Sequence, residues 1–275
     1  MKLVSYSVAN GIICPGALLP DGSVADLSEA GFSDALSVVE AGTTEIPNGA
    51  IIPAGEFHLH APLSNPPRVF AIGLNYRDHA KESGMAIPTT PVVFFKLTTA
   101  IIGPGEPIIL PKNSTEPDYE AEFAFVIGRG GYRIPASAWR DHVYGYTIVN
   151  DVSARDVQFA TSQWSMSKSF PTFCPLGPAI VSANEIPDPH QLDISLTIDG
   201  VTMQSSNTRE LIFKIPELIE YLSSISPLLP GDIISTGTPY GVGLGRDPKR
   251  WLRPGESVTV TVQGIGALTN PVVAE

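Results

Sequence analysis

The chain has 275 residues, of which 43% are hydrophobic and 16% charged, whereas an average soluble domain has about 25% charged residues. This composition excludes an intrinsically disordered chain and indicates one large domain, or a catalytic domain with a small accessory domain. The formal net charge of −11, from 17 Lys and Arg against 28 Asp and Glu, argues against a nucleic-acid partner, because such a partner requires clustered basic residues.

The sequence also bears on where the protein resides. Its longest apolar run, residues 91–103, is interrupted by Lys96 and is shorter than the roughly 20 apolar residues of a membrane span. The first residues lack the continuous apolar segment of a secretory signal, and Cys14 and Cys174 are the only cysteines, so we expect neither export nor a disulfide framework. We therefore predict a cytoplasmic protein with no membrane partner.

Turn-forming residues are spread along the whole chain. The 25 glycines and 26 prolines predict many short strands joined by turns. A proline-dense segment at 61–67 interrupts this pattern. We predict a mixed α/β, β-rich fold with a small N-terminal β domain over residues 1–62 and a catalytic domain over residues 66–275.

The larger domain is predicted to contain few helices. Residues 69–75 have the pattern of a buried strand and precede a short helix near 76–84, for which Gly84 is a suitable C-cap. A second helix is predicted to begin near Ser153, because serine is a good N-cap residue. The most regular helix spans 215–226, with a proline in its first turn and one apolar face.

The segment 118–128 carries two glutamates two positions apart. Side chains alternate along a strand, so Glu120 and Glu122 share one face and the odd-numbered apolar side chains share the other. With a rise of about 3.3 Å per residue, their Cα atoms are about 6.6 Å apart, and both carboxylates can reach one cation. No basic residue lies between Lys112 and Arg129 to neutralise them. The alternative is a solvated outer strand face, the commoner setting of an isolated pair.

A third carboxylate, Asp151, follows an apolar strand 31 residues after Glu120. A hairpin-like return of the chain would bring it beside the pair, where three carboxylates favour an oxygen-preferring cation such as Mg²⁺, Mn²⁺ or Ca²⁺. An N-cap or Asx turn explains Asp151 equally well. Zinc is disfavoured, because neither cysteines nor a histidine pair are found at ligand spacing.

Several segments, in this order, resemble the fumarylacetoacetate hydrolase family. They are GLNYRDHAKESG (73–84), FFK (94–96), DYEAEFAFVIG (118–128), GYTIVNDVSARDVQ (145–158), KSFPTFCPLGP (168–178), GDIISTGTPYGVG (231–243) and the closing PGE…V…GIG…L.N. The similarity spans residues 68–275 and is to the shorter, bacterial-type and acylpyruvase-like members. It implies a β-roll catalytic domain behind a small N-terminal β domain, a homodimer, and a small anionic 2-oxo acid as substrate.

The resemblance also implies roles for individual residues. Glu120, Glu122 and Asp151 match the ligands of a divalent metal, Mg²⁺ or Mn²⁺, for which Ca²⁺ can substitute in crystals. His79 and Glu82 match a His-x-x-Glu pair on a mobile lid helix. Their i, i+3 spacing places them on one helical face, as a water-activating pair requires.

Other matched residues are implied to surround the metal and substrate. Lys96, Gln158 and Lys168 match polar groups of that site, and Lys168 is assigned to stabilise an enolate during catalysis. Thr238 matches a threonine that contacts the substrate carboxylate. Arg77 departs from the small residue common in relatives, and we predict that it binds a second acidic group of the substrate. A solvated surface arginine is the alternative.

The activity implied by the resemblance is metal-dependent hydrolysis of a carbon–carbon bond. The substrate would be a 2,4-dioxo acid of the acylpyruvate or fumarylpyruvate type, and the products pyruvate and a carboxylic acid. Oxaloacetate decarboxylation and 2-hydroxydienedioate isomerisation are alternatives on the same scaffold, because function depends on the pocket rather than on the fold. A non-catalytic binding homologue is the alternative from another class, and the intact carboxylates and His79–Glu82 pair argue against it.

Overall fold

The computed structural model describes residues 1–9, 11–82, 84 and 86–275. Its strands are β1 (Lys2–Ser7), β2 (Cys14–Leu18), β3 (Val24–Asp26), β4 (Ile51–Ile52), β5 (His58–His60), β6 (Val69–Gly73), β7 (Val92–Lys96), β8 (Ile101–Ile102), β9 (Ile108–Leu110), β10 (Pro117–Asp118), β11 (Ala121–Ile127), β12 (Val143–Asn150), β13 (Ser153–Ala154), β14 (Cys174–Ser182), β15 (Asp193–Ile198), β16 (Val201–Asn207), β17 (Ile233–Ser235), β18 (Ser257–Val262) and β19 (Gly266–Ala274).

The helices are short and few. The α-helices are α1 (Ala35–Glu40), α2 (Arg77–Glu82), α3 (Arg155–Gln158) and α4 (Ile215–Ile225), and 3-10 turns span Ser28–Ala30, Thr98–Ala100, Ala136–His142, Ala183–Glu185, Thr208–Glu210 and Gly243–Gly245. Over the described ranges, no helix combines the length and the apolar character that crossing a bilayer demands. The mixed α/β, β-rich fold class is thereby confirmed.

A 12-stranded sheet forms the frame of the molecule. Its main path runs β4-β3-β2-β1-β14-β12-β11-β17-β6-β7, with β5 paired to β1 and β8 paired to β14. Strand β11 is antiparallel to both of its neighbours, β12 and β17. The predicted metal-binding glutamates therefore lie at an interior strand of this sheet.

A second sheet of five strands, in the order β16-β15-β18-β19-β9, packs near β11 and β12. Phe123 and Phe125 of β11 point into the core shared with this second sheet. Ala124 and Val126 point the other way, into a core that includes residues of β1 and α1. The predicted alternation is thus confirmed, and because both faces of β11 are covered, every residue of the strand is buried.

The N-terminal strands continue the large sheet. Leu3 of β1 pairs with Ile180 of β14, and the antiparallel ladder then runs on through β2, β3 and β4. Residues 1–62 therefore share backbone hydrogen bonds with the larger part of the chain. The division into domains at 1–62 and 66–275 stays a prediction.

The helix predictions have mixed outcomes. Helix α4 buries one apolar face and has its proline in the first turn, as predicted. The helix predicted near Ser153 is confirmed as α3, but the prediction of Ser153 as its N-cap is wrong, because Ala154 precedes the helix and the Ser153 hydroxyl donates to the Asp151 carbonyl. Gly84 has φ +64°, which is typical of a C-cap glycine, whereas the predicted helical residue Ser83 lies outside the described residues.

Candidate active site

Glu122 of β11 and Glu120, which immediately precedes the strand, are buried rather than solvated. Glu120 is 5% exposed and Glu122 is 1% exposed, which excludes an outer strand face in water. Glu122 is held by two donors, the Ser235 hydroxyl at 2.5 Å and the Gly237 backbone N–H at 2.9 Å. Because buried like charges repel strongly, the pair requires positive charge nearby.

The hairpin return of β12 brings Asp151 to the glutamates. The Asp151 backbone N–H donates to the Glu120 carbonyl at 2.9 Å. One carboxylate oxygen from each of Glu120, Glu122 and Asp151 lies within 4.8 Å of the others, and all three residues are buried. An oxygen-only donor set of this kind fits Mg²⁺ or Mn²⁺, which prefer carboxylate ligands.

Basic side chains from distant segments surround these carboxylates. Lys168 Nζ lies 2.8 Å from Glu120 Oε2 and 2.6 Å from Asp151 Oδ2, and Lys96 Nζ lies 2.5 Å from Asp151 Oδ1. The sequence has no basic residue from 113 to 128, so the neighbours of Glu120 and Glu122 in sequence do not show that lysines lie close to these carboxylates in space. Compensating charge comes through tertiary packing.

Arg155 is a site residue that the sequence analysis missed. Its guanidinium lies 2.6 Å from Glu120 and 2.8 Å from Asp118, and it donates to Gln158 at 2.8 Å. The available signal was a basic residue at a helix start four positions after Asp151. Arg155, the first residue of α3, therefore links this helix to Asp118 and Glu120 through ion pairs.

The charges of this cluster nearly balance. Four carboxylates face three cationic side chains, all buried, namely Asp118, Glu120, Glu122 and Asp151 against Lys96, Lys168 and Arg155. The formal excess is one negative charge. A bound divalent cation would change it to one positive charge, which would attract an anionic substrate.

The two glutamates have pKa shifts of opposite direction. Burial alone would raise the pKa of Glu120, but its ion pairs with Lys168 and Arg155 hold the pKa well below the usual range. Burial and the neighbouring carboxylates of Asp151 and Glu120 raise the pKa of Glu122 well above the usual range. Of the two glutamates, Glu122 is therefore the one whose ionised form a neighbouring cation would stabilise more.

His79 and Glu82 form a pair at the rim of the same cavity. Lying one turn apart on α2, they place His79 Nδ1 3.0 Å from Glu82 Oε2, and the Gly241 backbone N–H donates to Glu82 Oε1 at 2.8 Å. Glu82 is thus held from two sides and orients the imidazole. With Nδ1 engaged by Glu82, Nε2 is the nitrogen that can accept a proton.

Gly245 has no side chain and therefore leaves room for the side chain of Glu82. A Cβ added at Gly245 would lie 2.5 Å from Glu82 Cδ. We expect Gly245→Ala to lower kcat by about 10–100-fold through misplacement of Glu82, with little change in melting temperature, because the clash is with the end of a flexible side chain. Steady-state kinetics and thermal melting check this, and an unchanged kcat would contradict it.

The pair and the glutamates line one cavity of about 450 Å³. Its remaining wall is largely apolar and includes Phe94, Phe159, Trp164 and Val242. Lys168 Nζ lies 5.1 Å from the centroid of the Phe94 ring. The cavity therefore offers charged groups to the acidic part of a ligand and apolar wall to the rest.

The residues predicted to bind substrate lie in different places. Gln158 and Thr238 line the cavity together with Lys168. Lys96 is 2% exposed and lies beneath Asp151. Arg77 is turned away, since its Nη1 donates to the Leu211 carbonyl at 3.0 Å, and it is absent from the cavity lining.

A second group of metal-ligand type lies outside this cavity. One donor atom from each of His58, His60 and Glu106 lies within 4.8 Å of the others. The sequence-based statement that no histidine pair occurs at ligand spacing was wrong, because positions i and i+2 of a strand share a face. The signal was present as HLH at 58–60.

The sequence matches a known family over most of its length. The family model described as Fumarylacetoacetate (FAA) hydrolase C-terminal matches residues 68–273. The chain belongs to the fumarylacetoacetate hydrolase family. Its carboxylate cluster and its His79–Glu82 pair both fall within the matched range.

Relatives within the fumarylacetoacetate hydrolase family carry different activity names. Oxaloacetate tautomerase FAHD2A, mitochondrial, of Bos taurus is 44% identical over 241 residues, which cover 86% of this chain and 76% of the relative. The 5-carboxymethyl-2-hydroxymuconate delta-isomerase of Mycobacterium smegmatis is 38% identical with a TM-score of 0.84, and both chains are covered to 100%. The fumarylacetoacetate hydrolase of Exiguobacterium antarcticum is 32% identical with a TM-score of 0.90, again with 100% of both chains covered. Members of this family thus include hydrolases, isomerases and tautomerases.

Proposed function

We propose that this protein enolises a small 2-oxo acid and that its reaction is the keto–enol tautomerisation of oxaloacetate. The observation that carries the proposal is the shared cavity, whose lining includes both the His79–Glu82 pair and the carboxylates Glu120 and Glu122. A proton acceptor and a cation site in one cavity are the minimum that enolisation requires.

Each component has a separate task in this reaction. A divalent cation held by Glu120, Glu122 and Asp151 would act as a Lewis acid toward the 2-oxo group. His79 Nε2 removes a proton from C3, the C2–C3 double bond forms, and the electron pair moves to the C2 oxygen. Glu82 stabilises the imidazolium, and return of a proton to the oxygen completes the enol. The reverse sequence converts the enol to the keto form.

The choice of oxaloacetate is supported by sequence similarity to a relative and by the simplicity of the reaction. The bovine relative, 44% identical over 86% of this chain, is named an oxaloacetate tautomerase. Tautomerisation requires only a proton transfer, so one oriented base suffices. With a divalent cation bound, the carboxylates and basic side chains beside the cavity would carry one formal positive charge, which favours an anionic substrate such as a dicarboxylate.

Hydrolysis of a 2,4-dioxo acid is a second candidate, favoured by the apolar part of the cavity wall. Phe94, Phe159 and Trp164 line the cavity and offer apolar surface to the acyl group of an acylpyruvate. In this reaction His79 would deprotonate water, which attacks C4, and the C3–C4 bond would break to give the enolate of pyruvate and a carboxylic acid. Lys168 would stabilise the enolate charge.

One assay series distinguishes the two candidates. Purified protein with Mg²⁺ or Mn²⁺ is mixed with enol-oxaloacetate, acetylpyruvate or fumarylpyruvate, and the enol absorbance and pyruvate release are followed. Accelerated enol decay without pyruvate supports tautomerisation, and pyruvate from the acylpyruvates supports hydrolysis. Pyruvate from oxaloacetate alone would indicate decarboxylation and would overturn both.

Arg77 gives a sharper test of substrate recognition. Since its guanidinium is bonded to the Leu211 carbonyl, we expect Arg77→Ala to leave the kcat/KM ratio for fumarylpyruvate over acetylpyruvate unchanged. Thr238→Val, which alters a residue of the cavity lining, serves as the matched variant and should raise KM for both substrates. A dicarboxylate preference lost in Arg77→Ala would restore the sequence-based prediction.

The proposal extends to assembly and location. We expect a homodimer, as the family resemblance implies, located in the cytoplasm. Analytical ultracentrifugation of the purified chain measures the first expectation, and cell fractionation measures the second.

A further inference from the structure

We propose that His58, His60 and Glu106 form a second metal site, which prefers Zn²⁺ and other transition-metal ions that bind imidazole. One donor atom from each residue lies within 4.8 Å of the others, as simultaneous coordination requires. None of the three lines the catalytic cavity. The site therefore has its own function, which is to join β5 to the loop between β8 and β9.

The donor atoms indicate which ion the site accepts. Two imidazole nitrogens and one carboxylate oxygen suit Zn²⁺, Cu²⁺ or Ni²⁺, whereas Mg²⁺ prefers oxygen ligands alone. Glu120, Glu122 and Asp151 form the opposite donor set, without nitrogen. One chain thus offers two sites of different metal preference.

The two histidines are set on a supported strand. His58 and His60 occupy positions i and i+2 of β5, so both project from one face, with ring centroids 4.9 Å apart. The backbone of β5 pairs with β1, and Ser7 Oγ of β1 lies 2.8 Å from His60 Nε2. A hydrogen-bond partner on a ligand ring fixes its orientation, as is usual around bound metals.

The site is open to an incoming metal ion. His58 is exposed, so a metal ion can reach the site from solvent, and a neutral imidazole is the form in which a histidine binds it.

The carboxylate is positioned equally firmly. Glu106 Oε2 accepts from the Gly103 N–H at 2.6 Å, and the Asn270 side chain donates to the carbonyls of Gly103 and Glu106, each at 2.8 Å. A Cβ added at Gly103 would lie 2.4 Å from the backbone nitrogen of Ala61, so this loop packs directly against the end of β5. The site is therefore built on elements that already touch.

The test separates this site from the catalytic carboxylates. Tag-free protein is stripped with a chelator, and Zn²⁺ binding is measured by equilibrium dialysis with metal analysis in the Glu122→Gln background, in which the cavity site is disabled. We expect this protein to bind Zn²⁺ and to melt at a higher temperature with Zn²⁺ than with Mg²⁺. Adding His58→Gln or Glu106→Gln should weaken Zn²⁺ binding by about 100-fold, since even an altered partner of a ligand costs about 10–100-fold.

Controls keep the result specific. His142→Gln in the same background removes a histidine elsewhere and should leave Zn²⁺ affinity unchanged. Glu106→Gln retains an acceptor for the Gly103 N–H, so its fold is preserved, and His58→Gln alters an exposed side chain. Zn²⁺ binding that is absent from the Glu122→Gln protein, or equal in it and in the His58→Gln and Glu106→Gln variants, would overturn the proposal.

Discussion

Glu122→Gln is expected to abolish metal-dependent activity while the protein folds at least as stably as the wild type. Glu122 is crowded by Asp151 and Glu120, which together with burial raise its pKa. A neutral amide removes this repulsion and can still accept from Ser235 and Gly237. It also removes one anionic ligand, so the divalent cation is bound less tightly.

Thermal melting with and without Mg²⁺, together with calorimetric titration of Mg²⁺, measures both effects. Asp151→Asn is the matched control, because it removes a predicted ligand that also pairs with Lys96 and Lys168. We expect this variant to lose metal binding and also stability, by up to about 3–5 kcal/mol, since the buried Lys96 would lose its carboxylate partner and Lys168 would keep only Glu120. If Mg²⁺ raises the melting temperature of Glu122→Gln as much as that of the wild type, Glu122 is not a ligand.

His79→Ala is expected to lower kcat by about 10²–10⁴-fold, the range for loss of a general base, with Mg²⁺ affinity unchanged. The reason is the geometry of the pair, in which Glu82 lies 3.0 Å from His79 Nδ1 and leaves Nε2 to take the substrate proton. Steady-state kinetics on enol-oxaloacetate and on acetylpyruvate measure the loss, and calorimetry measures the metal affinity.

Two variants help to interpret that loss. Glu82→Gln keeps a hydrogen-bond partner for the imidazole but removes the charge that stabilises the imidazolium, so its kcat should lie between those of His79→Ala and the wild type. His142→Ala, at a partly buried histidine outside the cavity lining, should be fully active. Undiminished turnover by His79→Ala on both substrates would remove the pair from the mechanism.

Together these variants test separately the two parts of the proposed reaction, metal binding and proton transfer. Metal-ligand variants report on the cation that polarises the 2-oxo acid, and His79 variants report on proton transfer. A protein that loses acetylpyruvate hydrolysis in His79→Ala but retains oxaloacetate turnover would have a water-activating pair and a metal-driven reaction with oxaloacetate. That result would favour hydrolysis over tautomerisation as the role of the pair.

Local sequence determined the features that depend on neighbouring residues. The alternation along β11 placed Glu120 and Glu122 on one face, and the i, i+3 spacing placed His79 beside Glu82, as the structure has them. The apolar face of α4 was also predicted correctly from the sequence. These features follow from backbone periodicity, which is the same in any strand or helix.

Tertiary structure alone decided what surrounds those residues. Lys168 and Lys96 reach Asp151 from 17 and 55 positions away, so no local pattern reveals that the carboxylates are neutralised. The direction of Arg77 and the meeting of the β5 histidines with Glu106 depend in the same way on how distant segments pack. Periodicity assigns a side chain to a face, but only the packing of the whole chain decides which charges and ligands meet there.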